Sequence, residues 1–384
     1  MIKSASIILF FCMQLATHLF AQETSIVDWK VASQLPDLDG KPNPGLAGPL
    51  VGIHHDIMLI AGGANFPDGL PWEGGQKKYH TAIYLYGLST GQPIPLSSVD
   101  HLSKPLAYSA SCNTIQGIVT AGGENANGYS TDAFLFTLDA QTQVLNIQQL
   151  PSLPVATSNA VAVSYGQSVF LLGGETAAGT ADACWKLDLN NPATGWKSIQ
   201  PLPAPRAYAT AVVTGIPDNP QIVLLGGRKK TTSGISEIAG SVFAYSLKEG
   251  SWTELKSLPY PISAGAAVAT GNDEIIFLGG DRAETFTRVE QTLAAIAIPD
   301  EKSKASLINQ KNQLLSNHPG FSKAVLSYHP STGICKEIGA IPFPSPVTTT
   351  ALVYKEMIII PSGEIRAGVR TPAVLTATIK KRLK

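Results

Sequence analysis

Charge is scarce in this 384-residue chain: Asp, Glu, Lys and Arg make up 15%, and basic and acidic residues balance at 28 each. Nucleic-acid binders carry a basic excess, so that class is excluded. Cysteine is scarce too, with 4 in all, of which Cys12 lies in the apolar N-terminal stretch. Cys112, Cys184 and Cys335 are widely spaced, each in an apolar or strand-like run. Three thiols of this kind are no disulfide framework, so buried free thiols and a fold resting on its own core are expected. Beyond the N-terminus no run of 18 apolar residues exists, so no membrane span is expected. His54, His55, His80, His101, His318 and His329 show no metal-ligand spacing, and no Gly-x-Ser-x-Gly, P-loop or dinucleotide fingerprint is present. The expectation is no metal and no cofactor. Disorder is excluded in turn by a hydrophobic content of 44%.

Turn formers are plentiful, with Gly 35 and Pro 27, which with low charge suggests an all-β chain of short strands. Residues 1–21 stand apart. Lys3 precedes a short apolar stretch from Ile7 to Phe20, and Ala21 is a small residue before Gln22. This is the pattern of a secretory signal peptide, which predicts export to the periplasm. Without Lys3, 27 basic and 28 acidic residues remain, a net charge of −1.

The remainder, 22–384, is organised by a repeat. A Gly-Gly doublet closes an apolar run at Gly62-Gly63, Gly122-Gly123, Gly173-Gly174, Gly226-Gly227 and Gly279-Gly280, and a degenerate copy stands at Ser362-Gly363. The spacings are 60, 51, 53, 53 and 83 residues. Aromatics follow in register (Tyr84 and Tyr86, Phe134 and Phe136, Trp185, Phe243 and Tyr245, Tyr328), and Trp196 and Trp252 precede Leu-Pro turns. Gly at the doublet permits φ > 0 and close backbone approach where a strand leaves a crowded axis. The pattern resembles the kelch repeat of about 50 residues and four strands per blade. It implies one domain, a six-bladed kelch β-propeller. Trp29 with Leu35-Pro36 reads as the last strand of a blade and Thr371 to Ile379 as its third strand, so the N-terminal strand would complete the sixth blade and close the ring. Pro372 cannot donate to a ladder, so the C-terminal strand is expected to start there or lie at an edge.

Two blades carry insertions after the doublet, residues 64–78 and about forty residues after Gly280. Leu307, Ile308, Leu314 and Leu315 recur one heptad apart, which predicts an amphipathic helix capped by Asp300. Long loops on one face of a scaffold commonly carry function, and this one is a candidate lid.

Residues after each doublet converge on one mouth: Asn65, Glu124, Glu175, Arg228, Asp281 and Glu364, with Arg206 entering from a connection between blades. Carboxylates mixed with arginines suit a small acidic ligand. Structural roles remain open for several: loop hydrogen bonds for Glu124 and Glu175, a blade-to-blade tie for Arg206, solvated surface for Arg228.

The last blade reads Gly363-Glu364-Ile365-Arg366-Ala367-Gly368-Val369-Arg370-Thr371. This resembles the Gly-Glu-x5-Arg-Thr segment of the kelch-type N-acetylneuraminate epimerases, or sialic acid mutarotases. Ala61 to Phe66, Lys77-Lys78-Tyr79, Gly173 to Ala177, and the stretch from Phe321 to Thr332 are also similar to that family, so the likeness covers the mature chain. The Glu…Arg blade is C-terminal here and mid-chain in the best-known members, as in a cyclically permuted branch. The resemblance implies an isomerase that converts the α anomer of N-acetylneuraminate to the β anomer. It implies Glu364 as proton acceptor and Arg370 as its partner, binding the carboxylate or the developing oxyanion, with Arg206, Asn65, Glu175 and Glu124 as substrate contacts. A non-enzymatic kelch module that binds glycan or protein is the alternative. A copper oxidase on a kelch ring would need a clustered Tyr, Cys and His set that the sequence lacks.

Overall fold

The computed structural model describes residues 22–38, 40–139, 142, 144–216, 219–271, 273–298 and 301–383. The expected leader, 1–21, and the expected cap, Asp300, lie outside them. Six four-stranded antiparallel sheets are present among the described residues. Blade 1 consists of Leu50–His54, Ile57–Ala61, Ala82–Gly87 and Ile94–His101. The same order of four repeats through blade 5, which ends at Ile334–Ala340. Blade 6 takes three strands from the C-terminus, Leu352–Tyr354, Met357–Pro361 and Ala373–Leu383. Its outer strand is the N-terminal Gln22–Gln34, which pairs with Ala373–Leu383 from Gln22↔Leu383 to Gln34↔Ala373. The chain is therefore a six-bladed β-propeller closed by its own first strand, and the last long strand starts immediately after Pro372.

The second strand of each blade explains the continuous apolar runs. Every residue of Ile57–Ala61 is buried, because both faces of a blade pack against neighbours and a strand buried on both faces need not alternate. Alternate residues serve opposite neighbours. Met58 and Ile60 join Leu352 and Ile359 of blade 6, whereas Ile57 and Leu59 join Ile118 and Phe136 of blade 2. Apolar clusters of this kind fill the other four blade interfaces. The core is thus split into six wedges around an open axis.

The doublets turn the chain at that axis. Gly62 and Gly63 have φ of 62° and 82°, and a Cβ on Gly62 would strike the Leu106 carbonyl oxygen. In the degenerate copy Ser362 adopts the same left-handed conformation, φ 55°. Its buried hydroxyl accepts from Leu46 N at 2.8 Å and lies 2.7 Å from the Thr371 carbonyl oxygen.

Six connections between blades meet at the axis and bond to one another. Tyr108 N donates to Gly48 O, Asn159 N to Tyr108 O, Tyr208 N to Asn159 O, Ala264 N to Tyr208 O, Thr348 N to Ala264 O and Gly48 N to Thr348 O, at 2.7–3.2 Å. All six donors have left-handed φ, between 52° and 60°. On one side of this hydrogen-bonded ring lies an axial cavity of about 400 Å³, lined by small residues of the inner strands such as Ala110, Ala162, Ala211 and Ala267. The other side is the mouth.

The fifth-blade insertion forms two helices where the heptad spacing predicts one: α1 (Glu284–Ile296) and α2 (Glu301–Ser316). Leu307, Leu314 and Leu315 are half-buried and Ile308 is 39% exposed. The apolar face of α2 is thus only partly covered, because the helical pair stands on the rim of the ring. No helix among the described residues is long and apolar enough to cross a membrane. Cys112, Cys184 and Cys335 are free thiols. Burial pushes the Cys112 and Cys184 thiols up to about 12, which leaves them unreactive.

Candidate active site

The residue after each doublet pairs with a connection between blades: Ala64 with Ala47, Glu124 with Ala107, Glu175 with Ser158, Arg228 with Ala207, Asp281 with Ser263 and Glu364 with Val347. The six positions therefore share one face, as the repeat predicts. In five blades a short ribbon rises from that position.

The blade 6 ribbon explains the Glu-x5-Arg spacing. Glu364–Arg366 pairs with Val369–Arg370, and Glu364 lies directly across from Arg370. Gly368, φ 73°, makes the turn, and its N–H donates to Glu364 Oε1 at 2.9 Å. Arg370 Nη1 lies 3.5 Å from the same oxygen. The Arg370 side chain is 4% exposed and that of Glu364 19%, so the acid reaches solvent while the cation is held beneath it. The guanidinium stacks on Phe66 at 4.7 Å, and its Nε is buried without a partner. Leu70 and Trp72 of the first insertion pack on the Gly368 turn. Tyr108 also bonds Arg370; burial pushes its phenol up to about 12 despite Arg370, with Glu364 and Glu124 adding to the rise.

Glu124 sits in a neighbouring network. Its Oε1 accepts from Lys77 Nζ at 3.0 Å and Tyr79 Oη at 2.8 Å, and its Oε2 from Ser158 Oγ at 3.2 Å. Burial opposes the Lys77 charge, but Glu124 raises its pKa on balance; burial and Glu124 both raise Tyr79. Glu175 is 4% exposed, accepts from Lys230 Nζ at 2.7 Å through Oε2, and leaves Oε1 buried without a partner.

Two expected contacts are placed elsewhere. Asn65 is 1% exposed and its amide is spent internally: Nδ2 donates to Gly45 O at 2.9 Å and Oδ1 lies 2.8 Å from His80 Nε2. It holds the first insertion to the chain leading into blade 1. Arg206 turns away from the mouth, donating to Pro205 O at 2.9 Å and Ser241 Oγ at 2.7 Å. Ser241 precedes a blade 4 strand, so Arg206 ties blades 3 and 4. Arg228 is no solvated surface residue: its guanidinium lies between the rings of Tyr208 (3.8 Å) and Phe286 of α1 (4.4 Å).

The sequence reading missed Tyr108 and Tyr208. Both occupy left-handed positions at the axis, and both end a Pro-x-Ala-Tyr segment, Pro105 to Tyr108 and Pro205 to Tyr208. That internal repeat was the available signal. It also missed Phe286, whose available signal was the helical spacing of Phe286, Val289, Leu293 and Ile296, and the placement of His318, which no local pattern announces.

The arrangement offers a solvent-reaching carboxylate beside a buried guanidinium, in a bowl walled by tyrosines. This suits proton transfer on an anionic ligand. A sequence model described as N-acetylneuraminate epimerase matches residues 150–384. The chain belongs to the N-acetylneuraminate epimerase family. The family member of Pasteurella multocida is 27% identical over 254 residues, 65% of this chain and 64% of its own length. That of Haemophilus influenzae is 25% identical over 228 residues, 59% and 58%. An Escherichia coli protein named N-acetylneuraminate epimerase 1 is 28% identical over 199 residues, 49% of each. The chain thus aligns with less than two thirds of the length of these relatives.

Proposed function

We propose that this protein is a mutarotase that converts the α anomer of N-acetylneuraminate to the β anomer in the periplasm. The observation that carries the reading is the Glu364–Arg370 pair at the mouth of a ring from this family. The partial alignment fits a cyclic permutation, since two closed rings that start at different blades align along one arc only.

The sugar bears a carboxylate on its anomeric carbon, and an arginine matches a carboxylate with two parallel hydrogen bonds. Arg370, stacked and buried, is the pre-oriented donor. Glu364 takes the proton of the anomeric hydroxyl. The bond from the anomeric carbon to the ring oxygen breaks, the ketone forms, and Glu364 returns the proton to the ring oxygen. Rotation and the reverse steps close the ring on the other face. Acid–base catalysis of this kind contributes roughly 10²–10⁴-fold, enough for a reaction that also runs unaided. Glu124 and Glu175 line the bowl, and the helical insertion closes over bound sugar; unchanged protease sensitivity of residues 281–321 on adding sugar would count against closure.

The test is timed proton NMR of freshly released α-N-acetylneuraminate, with wild type and Glu364→Ala, at a pH where spontaneous conversion is slow. Acceleration by wild type only supports activity and base together. Acceleration by both moves the base to Glu175 or Glu124. No acceleration by wild type refutes the activity. Recovery of the protein in the cytosol of its native cells would refute the periplasmic assignment.

A further inference from the structure

His318 belongs to the insertion and follows α2, yet it reaches the mouth. Its loop is docked at both sides: Ser322 N donates to Gly280 O at 2.9 Å, and a Cβ on Gly320 would lie 3.4 Å from the Ile365 carbonyl oxygen, next to Glu364. The imidazole lies tilted against the Phe321 ring, at 55° with centroids 4.9 Å apart. Its Nδ1 faces the Gly320 N–H at 3.0 Å. A backbone N–H only donates, so Nδ1 is the acceptor and the neutral ring carries its proton on Nε2, at the far edge. The charged groups around the ring are Asp281, Glu364 and Arg366; burial holds the ring below the usual imidazole range although both carboxylates pull it up. At neutral pH His318 is therefore an uncharged donor that has no acceptor to offer.

Ring opening needs such a group. Glu364 carries the proton, but negative charge develops on the ring oxygen before that proton arrives, and a positioned donor at a developing oxyanion lowers the barrier without itself ionising. We propose that the Nε2–H of His318 donates a hydrogen bond to the ring oxygen of the sugar as its bond to the anomeric carbon breaks, which makes His318 a catalytic residue beside Glu364. The inference rests on the mutarotase reading. Proton and electron flow stay as written above: Glu364 shuttles one proton, the bonding pair goes to the ring oxygen, and His318 begins and ends neutral.

Two variants separate the chemistry from mere packing. His318→Phe keeps a ring against Phe321 and removes the donor; kcat should fall about 100-fold with KM within about threefold. His318→Gln places an amide N–H near the position of Nε2 and should recover kcat to within about tenfold of wild type. The NMR assay with N-acetylneuraminate reads both, after circular dichroism verifies the folded state. Wild-type acceleration with an unchanged kcat in His318→Phe overturns the inference and leaves the mutarotase reading intact. Equal losses in Phe and Gln variants also overturn it. No acceleration by wild type refutes the reading and the inference with it. Nitrogen-15 NMR of the His318 ring gives a readout independent of turnover: a proton on Nδ1 at neutral pH overturns the inference whatever the activity.

Discussion

Arg370→Lys separates two roles that the geometry leaves to one side chain. Arg370 is 8% exposed, stacks on Phe66 at 4.7 Å and sits 3.5 Å from Glu364 Oε1. Lysine keeps the charge but loses the planar fork and the flat stack. If Arg370 grips the carboxylate equally in ground and transition states, KM rises and kcat holds; if it meets the developing oxyanion, kcat falls and KM holds. A charge-assisted hydrogen bond is worth about 1.5–3 kcal/mol, and lysine can supply part of it as a point charge. The expected change is therefore about 10- to 100-fold in kcat/KM. The assay is anomer conversion by NMR over a range of sugar concentrations, with thermal unfolding as the control for a buried ammonium. Unchanged kcat and KM in a folded variant would refute direct contact between Arg370 and the sugar.

Ser362→Ala should destabilise the ring by about 1–3 kcal/mol in urea unfolding, because Leu46 N loses its acceptor at a buried site while the left-handed backbone stays. Ser362→Gly relieves that backbone and should lose about 1 kcal/mol less; equal losses would refute the strain argument. Deleting residues 22–34 bares the whole edge of Ala373–Leu383 and should give self-association by light scattering, whereas a monodisperse, equally stable product would show that closure by the first strand is dispensable. The depressed folded pKa of His318 stabilises the protein above its unfolded value of 6.5, and that contribution is lost as pH falls through 6.5 towards the folded value. Asp281, raised by burial, acts oppositely in its own window above 3.8. Between pH 7.5 and 5.5 wild type should lose more urea stability than His318→Gln; parallel curves would contradict a buried neutral imidazole.

The blades were legible because the doublet is a backbone requirement. Positive φ and a carbonyl packed where a Cβ would stand leave glycine the natural choice, so geometry writes itself into composition at Gly62-Gly63 and its copies. Glu364 and Arg370 were legible because a tight ribbon turns a six-residue separation into a cross-strand pair. Side-chain direction in the connections was not. Asn65 and Arg206 stand beside the mouth in sequence, but each finds partners below it, and nothing local distinguishes a loop amide bonded to Gly45 O from one facing a ligand. The first helix of the insertion is amphipathic in its own right, with Phe286, Val289, Leu293 and Ile296 at helical spacing, so its period was there to read beside the apolar pairs of the second helix. What a period does not tell is where the helix docks: Phe286 meets Arg228, and Glu290 accepts from Ser236 N at 2.7 Å.

The six hydrogen bonds that circle the axis have a consequence for evolution of the binding bowl. Each N–H is answered by the neighbouring connection, so the loop closes only on a whole number of blades. The diameter of the floor beneath the ligand is therefore a counted quantity. Exchanging Tyr108 or Tyr208 would redecorate the bowl without widening it. A markedly larger ligand would demand another blade, which gene duplication can deliver in one step and point substitution cannot approach by degrees.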